Sequence, residues 1–348
     1  MSTTAPRRRV VVRTGTWSIR VPVRAVVVVV LLVVGAFGLV VLATGAGKYP
    51  VAPADVLGVF TGANTGFDRV VVLEWRLPRA VMAVLVGAAL GMSGAIFQAL
   101  TRNPLGSPDI IGLNVGAYTG ALVAIVAFGG GYYPTAAGAL VGGLLSSAVV
   151  FLLSLRNGSL SGFRLIIIGI AVSALLYSVN DWFVIKVDLR TAASASVWQQ
   201  GDISGASWAQ TVPMAVCLAV AVAVLLVLGQ RLQILQLGDD AAGGLGVDTA
   251  RTRIRYFLVG VALVAVAAAA AGPISFVALA APQLGRMLTG SAGVGLAPSA
   301  AMGGFLLLAS DVAAQRVLPP HQLPIGSVTV VFGGGYLIWL LLIQSRRV

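Results

Sequence analysis

Residues 25–44 read "AVVVVVLLVVGAFGLVVLAT". No charge interrupts them over about 20 residues, the length an α-helix needs to cross a bilayer. A soluble core helix is apolar along one stripe, whereas this segment is apolar all round. The whole chain has the same character: of its 348 residues 58% are hydrophobic and 10% charged, against about 25% charged in a soluble domain. The fold class this implies is an all-α, multi-span membrane protein. The first segment does not read as a cleaved leader, because its apolar run exceeds the usual length of roughly 7 to 15 residues and no A-x-A-like site follows.

About ten spans follow from the same reading, near 25–44, 79–100, 112–130, 134–155, 164–185, 208–229, 254–272, 274–289, 296–315 and 323–343. The eighth is short and opens with "GPISF", which predicts a tilted or broken helix. Residues 1–24 then form a basic tail and 25–348 one ten-helix domain. If the N-terminus is cytoplasmic, 16 of the 23 basic residues lie on the inner side with 4 of the 11 acids, which puts the whole +12 excess there. That is the positive-inside pattern. The arginines are thus topological anchors facing lipid headgroups, and the high pI needs no nucleic-acid partner. Between the first two spans, "APADVLGVF" predicts a short surface helix with Pro and Asp near its start.

Several chemistries are excluded. The single histidine, His321, and the single cysteine, Cys217, cannot assemble a metal site or a disulfide, and no cofactor or catalytic constellation is expected. "GAGKY" at 45–49 lacks the first glycine and the Ser/Thr of a phosphate loop, with Leu42 and Tyr49 in those places. ATP hydrolysis is therefore not expected in this chain. Ion coupling would need acids inside the membrane, where a charge costs roughly 2.5–3.5 kcal/mol or more. Asp181 and Asp311 are the deepest, both near an outer edge, and Asp311 can be neutralised by Arg316 at the mouth.

A polar stretch, "LGQRLQILQLGDDAAGGLGVDTARTRIR" (228–255), interrupts the apolar pattern, with a cytoplasmic loop over 230–253. It reads as two short helices. Asp239 or Asp240 caps the first, Gly243 to Gly246 supply a left-handed stop, and Asp248 caps the second, with Arg251 and Arg255 at helical spacing. Ala241, Ala242 and the glycines leave room for a partner to approach closely. The same residues also suit an ordinary capped connection.

Three blocks carry a resemblance. They are "RLPRAVMAVLVGAALGMSGAIFQALTRNPLGSPDIIGLNVGA" (76–117), the Asp240-Ala241-Ala242-x-x-x-Gly246 run, and the stretch from "GPISFVALAAPQLGRMLTG" through "SDVAAQRVLPPHQLPIGSVT" to "GGGYLIWLL". Together they closely resemble the FecCD-type permeases of ABC importers for iron-siderophores and cobalamin, from about residue 25 to the C-terminus. The resemblance implies a type II importer architecture with ten spans per subunit in the bacterial cytoplasmic membrane, both termini cytoplasmic. It also implies two ABC ATPase subunits beneath, a second permease subunit, and a substrate-binding protein docking outside. Arg76 and Arg79 match the family's docking arginines. Two arginines three apart at a span's outer end suit either a forked cationic contact or headgroup anchoring. Arg316 follows the family's D-x-x-A-R pattern one position late, with Gln315 in the matching place.

The resemblance further assigns ATPase coupling to Asp239, Asp240, Ala241, Ala242 and Gly246. It assigns an inner constriction to Asn103, Pro104 and Leu105, with Gly162 and Phe163 as a second gate segment. The sequence departs from the family at Gln283 (usually His), Gln322 (usually Glu) and Gly335 (commonly Pro). The cargo implied is a ferric siderophore, with cobalamin or haem the alternative. The tail "RVVVRTGTWSIRVPVR" is similar to a branch that pairs with a different permease, favouring a heterodimer. The rival class, a secondary transporter or channel working without ATP, would need an intramembrane acid or a broken-helix ion site.

Overall fold

Within lipid a backbone has no water to bond, so each spanning segment must satisfy its own N–H and C=O groups, and the helix does this locally. The computed structural model describes residues 9–14, 17–45, 47, 49–156, 159–160, 162–318 and 322–345. The strands among them form two short antiparallel hairpins. The first, β1 (Arg9–Thr14) with β2 (Trp17–Pro22), occupies the basic tail, where a run of valines and Ile19 favours strand. The second, β3 (Leu155–Arg156) with β4 (Ser159–Leu160), turns the chain between two long helices.

The helices in chain order begin with α1 (Val23–Gly45) and α2 (Pro53–Thr61), the latter the expected surface helix with Pro at its start. Next, α3 (Phe67–Val70) continues through a π-helical turn, Val71–Arg76, into α4 (Leu77–Thr101). Helix therefore runs unbroken from Phe67 to Thr101, well before the expected start at 79. A 3-10 turn, Pro108–Ile111, leads to α5 (Leu113–Phe128), α6 (Tyr132–Ser154) and α7 (Gly162–Lys186). Then come α8 (Leu189–Gln199), α9 (Trp208–Leu228), α10 (Arg231–Leu235), α11 (Asp239–Gly244) and α12 (Thr249–Ala271). The chain closes with α13 (Val277–Thr289), α14 (Leu296–Arg316) and α15 (Ile325–Ser345).

Each of the ten expected spans coincides with one of these helices. Among the described residues seven are long and apolar enough to cross a membrane, while α5 and the described apolar stretch of α15, Ile325–Ile338, are shorter. The protein is a multi-pass membrane protein. The shortest of the ten is α13, whose 13 residues reach only about 20 Å at 1.5 Å per residue. The "GPISF" run ahead of it is not helical: Gly272 and Phe276 both take positive φ, 73° and 69°. Helix α8 was not foreseen. Asp188 caps it by accepting the Thr191 N–H at 3.0 Å, which turns a polar connection into an ordered element against α5.

At the centre stands α4, buried along most of its length. Glycines make this possible. A Cβ on Gly87 or Gly91 would overlap the carbonyl oxygens of Gly303 and Ser299 on α14, and one on Gly94 would overlap that of Ala278 on α13. Without hydrophobic driving force between helices in lipid, such close backbone approach is what membrane helices use to associate. Where the interior is wider, aromatic rings fill it: Phe97 of α4 packs edge-on against Phe257 of α12 at 5.7 Å, and Phe151 of α6 lies at 5.0 Å from the same ring.

Gly91→Val should therefore push α4 off α14. Overpacking of this kind costs about 1–3 kcal/mol, read as a lower Tm in detergent. Gly334→Ala, where an added Cβ meets open space, should leave the Tm near wild type.

Candidate coupling and docking sites

The candidate residues gather at the two ends of α4. At its start, Arg76 donates to the carbonyls of Thr44 (2.8 Å) and Tyr49 (2.6 Å), fastening α4 to the segment leaving α1. Arg79 points inward. Its Nη2 lies 2.9 Å from Asp311 Oδ1 and its Nε 3.0 Å from the same oxygen, while Nη1 donates to Gln322 Oε1 at 2.9 Å. Gln315 Nε2 donates to Asp311 Oδ2 at 2.7 Å. The ion pair is enclosed, with side-chain exposure of 12% for Arg79 and 1% for Asp311.

The partner of Asp311 is thus Arg79, not Arg316 as expected. The reason is helical geometry: five residues along a helix turn the side chain by about 140°, so Arg316 faces away and donates to the Leu42 carbonyl at 3.1 Å. The glycine contact between α4 and α14 brings Arg79 and Asp311 together from 232 residues apart. Arg76, Arg79 and Arg316 do cluster at one end of the bundle, but all three already hold acceptors of this chain. His321 lies outside the described residues.

At the other end α4 stops at Thr101, and Arg102 takes the left-handed conformation, φ 51°. Helix termination precedes Pro104. Asn103 shapes the next turn, its Oδ1 accepting the Leu105 N–H at 2.9 Å while its carbonyl accepts the Gly106 N–H at 2.9 Å. Leu105 is exposed, and so is Phe163. Gly162 sits against the Thr101 backbone, where a Cβ would come within 2.9 Å of the Thr101 Cα. The two gate segments predicted from sequence, 103–105 and 162–163, therefore start from one point of contact.

Beside them lies α11. Neither Asp239 nor Asp240 caps it. Gly238 holds the N-cap position without a side-chain bond, and both acids fall in the first turn, where the helix dipole favours them. Asp239 Oδ1 accepts from Arg102 Nη2 and from Arg253 Nη2, the latter at 2.8 Å. Ala242 is buried, while Asp240, Ala241, Gly243, Gly244 and Gly246 are exposed. Nothing stands within 4 Å of a Cβ added at Gly243, Gly244 or Gly246, and two exposed leucines, Leu237 and Leu245, flank the patch. Gly246 supplies the left-handed stop, φ 76°, and Asp248 caps α12 by accepting the Arg251 N–H at 3.0 Å, as expected.

Two contacts have no signal in the sequence, that of Asp109 and that between Gln98 and Gln283. Asp109, in the 3-10 turn after the 103–105 segment, binds Asn114 Nδ2 at 2.6 Å and Ser107 Oγ at 3.0 Å. It also accepts the N–H of Phe276 in the "GPISF" break. Burial pushes its carboxyl from 3.8 up to about 6, with the Ser107 and Phe276 hydrogen bonds pulling the other way. Inside the bundle, Gln283 Nε2 donates to Gln98 Oε1 at 2.6 Å and Gln98 Nε2 to the Leu279 carbonyl at 3.0 Å, so the residue in place of the family's His closes a polar link between α4 and α13.

A model of the FecCD transport family matches residues 19–343. The chain belongs to the FecCD transport family. Among its relatives, the ferric enterobactin transport system permease protein FepG of Escherichia coli is 48% identical over 86% of this chain and 91% of its own length. The iron(3+)-hydroxamate import system permease protein FhuG of Bacillus subtilis is 36% identical over 85% of this chain and 90% of its own. In three dimensions the fold matches a solved metal-chelate type ABC transporter in an inward-facing conformation, with a TM-score of 0.79 and 28% identity over 91% of this chain and 99% of that one. The "RLPRAVMAVLVGAALGMSGAIFQALTRNPLG" stretch forms α4 and the turn after it, so this one helix supplies residues to both candidate ends.

Removing one partner of a buried ion pair leaves the other uncompensated, at a cost of about 3–5 kcal/mol. Arg79→Ala should accordingly lower the Tm in detergent more than Arg76→Ala does, and Arg79→Leu with Asp311→Leu should recover part of the loss. Asp109 gives a pH signature. Its folded-state pKa is raised, so its contribution to stability is fully present below about pH 3.8 and is lost as pH rises through about 6. Asp109→Asn should flatten that part of the Tm-against-pH curve.

Proposed function

We propose that this chain is a permease subunit of an ATP-driven importer that carries a ferric siderophore into the cytoplasm. The observation that carries the reading is the 48% identity to a ferric enterobactin permease along nearly the whole of both chains. The exposed small-residue helix α11 at one end of the bundle supports it. In this reading both termini face the cytoplasm, because that orientation places 16 of the 23 basic residues inside. The Asp239 end is then cytoplasmic, and the Arg79 end faces the binding protein.

The chain carries no phosphate-binding loop, and energy enters through two ATPase subunits, one of them seated on α11 of this chain. Asp240, Ala241 and Gly246 present little bulk there, and Leu237 and Leu245 offer apolar anchors at the rim. A second permease, different in sequence, completes the pathway. The ferric ion crosses wrapped in its chelator, so the pathway needs width and weak contacts rather than ligands. Rigid-body displacement of helices opens the 103–105 and 162–163 segments, which share the Thr101–Gly162 contact. At the opposite end an acidic group of the binding protein meets Arg76 and Arg316, both of which bond carbonyls at the surface.

Co-expression with the ATPase and sister permease, followed by uptake of radio-iron-loaded enterobactin into proteoliposomes, tests the reading. Uptake should require ATP and all subunits. Asp240→Arg with Gly246→Trp should abolish both uptake and ATPase co-purification while membrane insertion stays intact. Uptake by the permease alone without ATP would replace this reading with that of a secondary transporter.

A further inference from the structure

Helix ends in the left-handed conformation are usually taken by glycine, because a Cβ is strained there. At the end of α4 the residue is Arg102, φ 51°, one of two non-glycine residues with positive φ among the described residues. Glycine would end the helix with less strain. An arginine kept at such a position therefore points to work for its side chain.

That side chain reaches α11. Arg102 Nη2 bonds Asp239 Oδ1 across 137 residues of sequence, and the same carboxylate oxygen binds Arg253 of α12. Arg102 and Asp239 are 40% and 50% exposed. Exposed pairs add little to stability, so the pair is poorly explained as a brace for the fold. Its position is more informative. The helix is only six residues long, its one buried residue is Ala242, and it touches α10 and α12 as its neighbours. The ion pair adds a direct side-chain bridge to the residue that ends α4, beside the packing of α10 and α12 on that helix. On the α4 side, Thr101 carries the Gly162 contact and Asn103 to Leu105 form the turn immediately following.

We propose that Arg102 is a positioning residue of the transport cycle, whose ion pair with Asp239 carries the displacement of α11 to the end of α4 and so to the 103–105 turn. The proposal rests on the importer reading and adds the link between the ATPase seat and the gate. A planar guanidinium suits the task, since it holds a carboxylate through directional bonds that transmit sliding as well as separation.

The test uses the permease assembled with its ATPase and sister subunit in proteoliposomes, and a reporter independent of cargo. With Cys217→Ser removing the native thiol, Leu105→Cys is labelled by a water-soluble maleimide in the nucleotide-free and the vanadate-trapped states. The ratio of the two labelling rates measures motion at the turn. In the Arg102→Gln variant that ratio should shrink roughly two- to thirtyfold, the range for single residues in a coupling network, while the ATPase still co-purifies and the Tm stays near wild type. Arg102→Lys, which keeps a cation within reach of Asp239, should keep more of it than Arg102→Gln does. An unchanged ratio in Arg102→Gln overturns the link alone. A purely structural role would instead lower the Tm and ATPase recovery together. If no ATPase co-purifies with the wild-type chain, the importer reading falls and this proposal with it.

Discussion

The close approach of α4 to its neighbours is the constraint on which the rest depends. In lipid, helices gain nothing by hiding apolar surface from one another, so backbone-to-backbone packing must hold the bundle. Gly87, Gly91 and Gly94 place the α4 backbone against the carbonyls of Gly303, Ser299 and Ala278. With α13 and α14 fixed on it this way, one helix delivers Arg79 to Asp311 at one end and Arg102 to Asp239 at the other. The two candidate ends of the molecule are therefore the two ends of a single rigid rod.

The two ion pairs on that rod have opposite physical characters. Arg79–Asp311 is enclosed and further satisfied by Gln315 and Gln322, so its charges are held mainly by one another. Such a pair fixes geometry rather than adding stability over an apolar alternative. Arg102–Asp239 is half exposed, so it adds little to stability and joins α11 to the end of α4 without burying a charge.

Between the ends, the "GPISF" break leaves five residues outside any helix within the bundle. Non-helical backbone at membrane depth survives only where protein satisfies it. Here Asp109 accepts the Phe276 N–H, and the Gln98–Gln283 link with the Leu279 carbonyl stitches the first turns of α13 to α4. The same Asp109 sits four residues beyond Leu105, so one carboxyl group links the connection that follows the 103–105 turn to the "GPISF" break.

Apolar length, charge asymmetry and end signals determined much of this protein without any fold. Helices at the ten places expected for spans, the break at "GPISF", the helix at 53–61, the cap at Asp248 and the left-handed stop at Gly246 are all local consequences of composition and φ preference. The FecCD resemblance likewise rested on contiguous motifs. Tertiary structure alone decided who bonds whom. Asp311 chose Arg79 over Arg316 because two glycine-packed helices meet there, and Asp239 forsook capping for two arginines, one 137 residues distant. The π-turn before α4, the helix at 189–199 and the burial of Asp109 were equally out of reach. Helix formation is set by neighbours along the chain, whereas ion-pair choice is set by neighbours in space, and a single sequence writes down only the first.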